Sequence, residues 1–220
     1  MFNKNQICVI VGLQNELNAL NNLNVNSFIG YGEFGANKVV NQNLQYYDCF
    51  ISMGFAGSID QKLKNGDILI PQKVVWKDGS VHETDKKYRN FLLNKIKSKK
   101  VSTKNLTSVK EIINNSEEKK KIKHKYDVSA IDMESESIQK ITIKEKKIFV
   151  VVRVILDDCQ FSIPNYIVKS TNRNGLVNNK QLFLHILKNP GNILSLIKLS
   201  FYYIKAYKIL KSLCKMIFNN

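Results

Sequence analysis

Residues 148–157 read IFVVVRVILD, and this stretch decides the fold. A continuous apolar run that is rich in β-branched residues is typical of a strand covered on both faces. A second such run, Ile7–Val11, ends at Gly12 and is followed by leucines at helical spacing. Because a strand, a glycine turn and a helix in this order open many α/β domains, we predict an α/β fold with residues 148–155 as a central strand that ends at Leu156-Asp157-Asp158.

Two further apolar segments, residues 48–53 and 68–70, add strands to the predicted sheet. Residues 77–125 are rich in charge, so we expect a loop and one or two surface helices there. A chain of 220 residues, 44% of them apolar, is long enough to bury one core. We therefore predict a single three-layer domain over residues 1–189, with a mixed central sheet flanked by helices, and a basic amphipathic helical tail over residues 190–220.

The formal net charge is +16, and nearly all of the excess comes from lysine. Arginine, which suits bidentate contacts with phosphate and guanine, occurs only three times in the chain. We therefore expect no nucleic acid as the main partner. A non-catalytic basic module that binds a membrane or nucleic acid on a degenerate enzyme fold stays open as an alternative.

The cysteine pattern argues against a disulfide framework and against a metal site. Four cysteines are present, but none forms a Cys-x-x-Cys pair and no Cys/His cluster has zinc spacing. The apolar run at residues 7–11 is too short for the apolar region of a signal peptide with a cleavage site. We therefore expect a cytoplasmic protein that holds no metal.

Five lysines lie between Asn192 and Phe218, in a segment without any acidic residue. Their spacing places them on one side of a helix. The segment carries too many lysines to span a bilayer easily. Two interpretations stay open: the helix lies on the inner face of a membrane as a peripheral contact, or it packs on the protein body with its lysines in solvent.

Three short motifs lie near the ends of the predicted strands. Residues 54–57 read Gly-Phe-Ala-Gly and are followed by Gly66-Asp67. Residues 132–134 read Asp-Met-Glu, and the central strand ends in Asp157. Carboxylates just past the end of a central strand lie where α/β sheets bind ligands.

Together these motifs resemble those of the nucleoside phosphorylase/nucleosidase superfamily, which includes purine nucleoside phosphorylases and methylthioadenosine/adenosylhomocysteine nucleosidases. The resemblance covers roughly residues 7–160. It implies a homo-oligomeric enzyme that cleaves the bond between ribose and a purine, with adenine as the expected base and no cofactor.

By this resemblance Asp157 is the acid, with Asp158 as the fallback if the alignment slips by one residue. A purine leaves well only when a ring nitrogen is protonated, and general acid help contributes roughly 10²–10⁴-fold. A free aspartic acid has a pKa near ~3.9, so burial or a hydrogen bond must favour the protonated form, or the bound base must supply the proton. Glu134 is expected to accept hydrogen bonds from two ribose hydroxyls, and Met133 to pack against the sugar.

The second substrate separates two branches of the superfamily, and the sequence leaves them open. Phosphorylases bind inorganic phosphate, whereas nucleosidases position a water with a glutamate of the N-terminal region. Glu16 falls close to that glutamate, one residue short by counting from Gly12. The residues expected at a phosphate site are Gly32, Gly35, Lys38 and Gly54. The residues expected against the nucleoside, beside Met133 and Glu134, are Phe55, Ala56 and Gly57.

The Gly12-Leu13 start, the Asp-Met-Glu-Ser motif and the tail after Pro190-Gly191 are most similar to the hopanoid-associated phosphorylase branch. The first expected function is therefore phosphorolysis of a lipid-linked adenosyl substrate, with phosphate as co-substrate. The alternative is a hydrolytic methylthioadenosine/adenosylhomocysteine nucleosidase. The residue that contacts the base is expected within residues 77–125, but the sequence does not identify it.

Overall fold

The structure, a computed structural model, describes residues 3–97, 99–113, 115–159, 163–164, 166–167, 170, 185 and 188–219. The strands are β1 Ile7–Val11, β2 Asn26–Ile29, β3 Cys49–Ser58, β4 Ile68–Leu69, β5 Lys73–Val75, β6 Val81–Glu83, β7 Val101–Ser102, β8 Leu106–Ser108, β9 Ala130–Asp132 and β10 Ile148–Asp157. The helices are α1 Gln14–Asn18, α2 Gly32–Asn43, α3 Lys86–Lys95, α4 Ser116–Tyr126, α5 Ser135–Lys144 and α6 Ile193–Phe218. Short 3-10 helices cover Lys4–Gln6 and Pro190–Asn192.

The described strands form one mixed sheet in the order β6-β5-β8-β9-β3-β10-β4-β7, with β1 paired to β3 and β2 paired to β1 outside this path. β3 runs parallel to both β1 and β10, whereas β9 is antiparallel to β3. Helices α1, α3 and α6 pack on one face of the sheet, and α2 and α5 pack on the other. The predicted α/β fold with a mixed central sheet flanked by helices is confirmed.

β10 lies inside the sheet, between β3 and β4, and both of its faces are covered. Val150 and Val152 point into the apolar cluster beneath α3 and α6, whereas Val151 and Ile155 point into the cluster beneath α2 and α5. Side chains alternate between the two faces of a strand, so a strand covered on both faces needs an unbroken apolar run. The predicted central strand is confirmed as Ile148–Asp157.

The pairing of β10 with β3 brings the end of one strand beside a glycine of the other. The two strands stay in register up to Ile155 opposite Ala56, and then shift so that Asp157 lies opposite Gly57. A β-bulge of this kind re-aims the side chain that follows it. The bulge therefore places the side chain of Asp157 at the edge of the sheet where the parallel strands end.

The last helix, α6, joins the core through its second half. Ala206, Leu210 and Phe218 are buried in the same apolar cluster as residues of β1, β3 and β10. The first half instead leaves Leu194 and Phe201 largely exposed. The predicted C-terminal helix is confirmed, and its second half packs on the protein body.

Between residues 77 and 125 the structure contains more strand than the sequence predicted. Helices α3 and α4 lie there, but so do β6, β7 and β8. Each of these strands is only two or three residues long, which is too short to produce a visible alternation of apolar residues. Pairing with the rest of the sheet, rather than local pattern, determines them.

Candidate active site

A pocket of about 600 Å³ opens at the carboxyl ends of β1, β3 and β10. Gly12 follows β1, Gly57 lies near the end of β3, and Asp157 ends β10; all three line the pocket. Ligands of α/β sheets bind at this edge, where the chain turns away from the strands. The volume falls within the range of small-molecule sites, roughly 300–1,000 Å³.

Glu16, in α1, is a buried carboxylate that the backbone holds in place. Its Oε2 accepts hydrogen bonds from the N–H groups of Gly12 and Leu13, both at 2.8 Å, and its Oε1 accepts one from Phe55 at 2.6 Å. A Cβ at Gly54 would overlap this carboxylate, so only glycine allows β3 to approach so closely. Burial raises the pKa of Glu16, while the charge of Arg153 and these hydrogen bonds oppose the rise.

Arg153 lies behind the pocket as a buried cation in the middle of β10. Its guanidinium donates to Asp132 at 2.7 Å and to the Ser52 hydroxyl at 2.6 Å. It also lies 3.6 Å from a carboxylate oxygen of Glu134. One positive charge therefore faces the three buried carboxylates of Asp132, Glu134 and Glu16. Arg153 was not predicted as a site residue, although a charge inside an apolar strand is a visible signal in the sequence.

Glu134 precedes α5 and faces the same pocket. Its Oε1 accepts a hydrogen bond from the N–H of Gly32 at 3.0 Å. Burial raises the pKa of Glu134 to about 7. The nearby negative charges of Asp132 and Glu16 add to the rise, and Arg153 opposes it.

Asp157 is paired with a lysine that was not predicted as a site residue. Lys119 of α4 donates to Oδ2 of Asp157 at 2.7 Å, and both side chains are buried. Burial raises the pKa of Asp157, and the charge of Lys119 opposes that rise. The helix α4 contains five lysines, and nothing in the sequence distinguishes Lys119 from the others. In the structure the other four are at least partly exposed.

The glycines of β3 set the distance between the two ends of the site. Gly54 lies against Glu16, and Gly57 lies against Asp157, where a Cβ would come within 3.0 Å of Oδ1. Gly57 follows Gly54 by three positions, so the backbone points that contact the two carboxylates are roughly 10 Å apart along the strand. Glu134 is close to the Glu16 end, since a Cβ at Gly12 would lie 3.0 Å from Glu134 and 3.5 Å from Glu16. Apart from Asp132, which is paired with Arg153, the pocket therefore has two adjacent carboxylates, Glu16 and Glu134, at one end and Asp157 at the other.

The remaining sequence-predicted residues fall into two groups. Met133, Phe55, Ala56 and Gly57 line the pocket with Glu16, Glu134 and Asp157. The four residues expected at a phosphate site do not converge on a vacant anion site. The N–H of Gly32 is bonded to Glu134, Gly35 packs on the backbone of Gly30, Gly54 lies against Glu16, and Lys38 is exposed on α2 and does not line the pocket.

One wall of the pocket is apolar and is formed largely by segments outside the central strands. Its side chains are Val109, Ile112, Ile113, Ile163, Ile167, Leu196, Leu199, Tyr203 and Ile204. Four of these belong to α6, whose first half therefore faces the pocket on one side.

Across the described ranges, no group of three or more histidine, cysteine or acidic side chains is arranged to hold a metal ion. In the same part of the chain, no helix combines the length and apolar character needed to cross a membrane.

This chain matches known proteins in its fold but not in its sequence. No protein-family model matches the chain, and no curated protein matches it either. The 5′-methylthioadenosine/S-adenosyl homocysteine nucleosidase of Campylobacter jejuni superposes with a TM-score of 0.73 at 15% identity, over 98% of this chain and 99% of that one.

Two Helicobacter pylori structures give similar results. A nucleosidase mutant of the same type, with 5′-methylthioadenosine in its active site, has a TM-score of 0.68 at 16% identity and covers 95% of this chain and 97% of its own. A futalosine hydrolase mutant has a TM-score of 0.62 at 15% identity, over 68% of this chain and 88% of that one. The chain therefore shares the fold of these nucleosidases, and the resemblance seen in the sequence is confirmed at the level of the fold.

Proposed function

We propose that this protein hydrolyses the N-glycosidic bond of a purine nucleoside. The observation that carries the proposal is the convergence of Glu16, Glu134 and Asp157 on one pocket at the carboxyl edge of the sheet. Their spacing suits a nucleoside, with ribose beside the paired glutamates and the purine beside Asp157. The nucleosidases that share this fold support the same assignment.

Each carboxyl group has a distinct task in this reaction. Glu16 accepts a proton from a water molecule whose oxygen attacks C1′ of the ribose. Glu134 accepts hydrogen bonds from the 2′- and 3′-hydroxyls, and its negative charge stabilises the positive charge that develops on the sugar. Asp157 gives its proton to N7 while the bond between C1′ and N9 breaks and its electron pair passes to the purine.

The charges around the ribose end favour water over phosphate as the attacking group. Glu16 and Glu134 are both there, and the guanidinium of Arg153 is already bonded to Asp132. A phosphate dianion brought against two carboxylates is repelled unless an additional cation balances them. The phosphorolysis expected first from the sequence is therefore the second candidate, and hydrolysis is the one we put forward.

An adenine-release assay tests the function and separates the two chemistries. We expect release from methylthioadenosine without phosphate, and no acceleration when phosphate is added. Glu16→Gln keeps the side-chain volume but removes the base, so we expect kcat to fall roughly 10²–10⁴-fold. Glu33→Gln, on the exposed side of α2, is the matched control and should keep wild-type activity.

Three results would contradict the proposal in different ways. Strict dependence on phosphate would establish phosphorolysis instead. Full activity of Glu16→Gln would remove the proposed base. Absence of base release from any purine nucleoside would favour the non-catalytic binding module.

The apolar wall supports a substrate with an apolar group on its 5′-carbon. Ile113, Leu196 and Ile204 belong to this wall, which continues beyond the carboxylates. A methylthio group is a small example of such a substituent, and the lipid chain of a hopanoid-type adenosyl compound is a large one.

A substrate series tests the 5′-substituent directly. We expect kcat/KM to rise from adenosine to methylthioadenosine and further with longer 5′-alkylthio chains, because each buried CH₂ adds about 0.8 kcal/mol. Leu199→Asp should remove this dependence on chain length while leaving adenosine cleavage nearly unchanged. A flat series in the wild type would exclude an apolar 5′-group.

We also propose a peripheral membrane contact through the first half of α6. Its outer face carries an exposed apolar stripe, formed by Ile193, Leu194, Ile197 and Phe201. The exposed lysines Lys208, Lys211 and Lys215 continue the same face toward the C-terminus. An apolar stripe that runs into a cationic one fits a bilayer surface with anionic headgroups. The cytoplasmic location expected from the sequence stays a prediction.

A further inference from the structure

The acid of the proposed reaction has a buried cationic partner. Lys119 is 2% exposed and donates to Oδ2 of Asp157 at 2.7 Å. Its ammonium also lies 3.5 Å from the backbone carbonyl of Asp158. Lysine is almost never fully buried unless it is paired, so this position is unusual within α4.

Lys119 reaches the acid from behind the pocket. Asp157 lines the pocket, whereas Lys119 does not. The carboxyl group of Asp157 is thus held between the ammonium on one side and the β3 backbone at Gly57 on the other. Because Oδ2 is bound to Lys119, Oδ1 is the oxygen that can face a bound purine.

Stability alone does not account for this ion pair. Removing two charges from water costs about as much as their attraction returns, and well-packed apolar residues of similar volume often stabilise a protein equally well. The chain nevertheless places the pair at the one carboxyl group that ends the central strand. This placement points to a role in the reaction.

We propose that Lys119 is a positioning residue for Asp157, an inference that rests on the proposed function. By binding Oδ2, Lys119 fixes the plane of the carboxyl group and directs Oδ1 toward N7 of the purine. Its positive charge stabilises the carboxylate that remains once the proton has moved to N7. The attacking water passes its proton to Glu16, and return of a proton from Glu16 to Asp157 through solvent restores the starting state.

The charge of Lys119 also adjusts the strength of the acid. Burial raises the pKa of Asp157, and Lys119 opposes that rise. Without Lys119, Asp157 would hold its proton to a higher pH and would give it up to the purine less readily.

The test compares three variants of α4 in the full-length protein by adenine release across a range of pH. Lys119→Met removes the charge, Lys119→Arg keeps it, and Lys121→Met changes an exposed lysine as the control. We expect Lys119→Met to lower kcat by roughly 10²-fold with little change in KM, and to move the alkaline fall in kcat/KM to higher pH. Lys119→Arg should restore most of kcat, and Lys121→Met should match the wild type.

The possible results distinguish a failure of the proposed role of Lys119 from a failure of the proposed function. An active wild type whose kcat and pH profile are unchanged in Lys119→Met overturns the role of Lys119 alone. A wild type that releases no base overturns the proposed function and the role of Lys119 with it. Should Lys119→Met fail to fold, Lys119→Gln keeps a hydrogen-bond donor without the charge and is measured in the same way.

Discussion

At the scale of single residues, Glu134 links the proposed site to the stability of the fold. Burial raises its pKa to about 7, from an ordinary value of 4.5. The folded state therefore holds this proton more tightly than the unfolded chain does, and stability falls as pH rises from 4.5 through 7. Above pH 7 Glu134 is ionised in the folded protein, which lowers the stability of the fold. The proposed chemistry nevertheless requires this ionised form.

We expect Glu134→Gln to be more stable than the wild type at pH 8, by on the order of 3 kcal/mol at most. The amide keeps an acceptor for the N–H of Gly32 but removes one of three carboxylates around Arg153. The difference in unfolding free energy between variant and wild type should become small at pH 4.5 and vanish below it, where Glu134 is protonated in both the folded and the unfolded state. Urea unfolding at the two pH values measures this difference in free energy. An equal difference at both pH values would show that the charge of Glu134 is not the cause.

Residues differ in how far the sequence could predict them. Asp157 and Glu134 were recognisable because short motifs at strand ends mark them, and the structure brings both to one pocket. Arg153 was visible as a charge within an apolar run. Lys119 could not be predicted, because only the packing of α4 against β10 separates it from its neighbouring lysines.

At the scale of elements, α6 presents two different faces along one helix. The inward face of its second half belongs to the core, and the outward face of its first half is apolar and exposed. The double substitution Leu194→Glu and Phe201→Glu should leave folding intact, because both side chains are largely exposed.

Vesicle sedimentation tests the proposed membrane contact with this variant. We expect the wild type to sediment with vesicles that contain phosphatidylglycerol, and much less with phosphatidylcholine alone or at high salt. The double variant should lose at least about tenfold in affinity, because two apolar side chains no longer enter the bilayer. Tyr46→Glu changes an exposed aromatic residue elsewhere and should have no effect.

A partner other than a membrane on the apolar stripe would give a different result in this experiment. If a second copy of the chain covered it, the wild type would form a dimer that the double variant could not form, and vesicles would make no difference. That result would replace the membrane contact with an oligomer interface.

Only the longer strands of the sheet could be predicted from the sequence. β1, β3 and β10 follow from apolar runs long enough to cross a buried sheet. β6, β7 and β8 do not, because strands of two or three residues depend on partners that lie far away in the sequence.

At the scale of the whole molecule, the fold is shared with nucleosidases at only 15–16% identity. Burial patterns and strand order can persist at such a distance, because a core accepts many combinations of apolar side chains of similar volume. The homo-oligomer implied by the resemblance stays a prediction, and light scattering on the purified protein measures it.

The spacing of Gly54 and Gly57 restricts which changes of chain length the protein tolerates. One inserted residue between them would add about 3.3 Å and turn every following side chain to the opposite face of the sheet. Insertions and deletions in this stretch should therefore be eliminated by selection even where point substitutions survive.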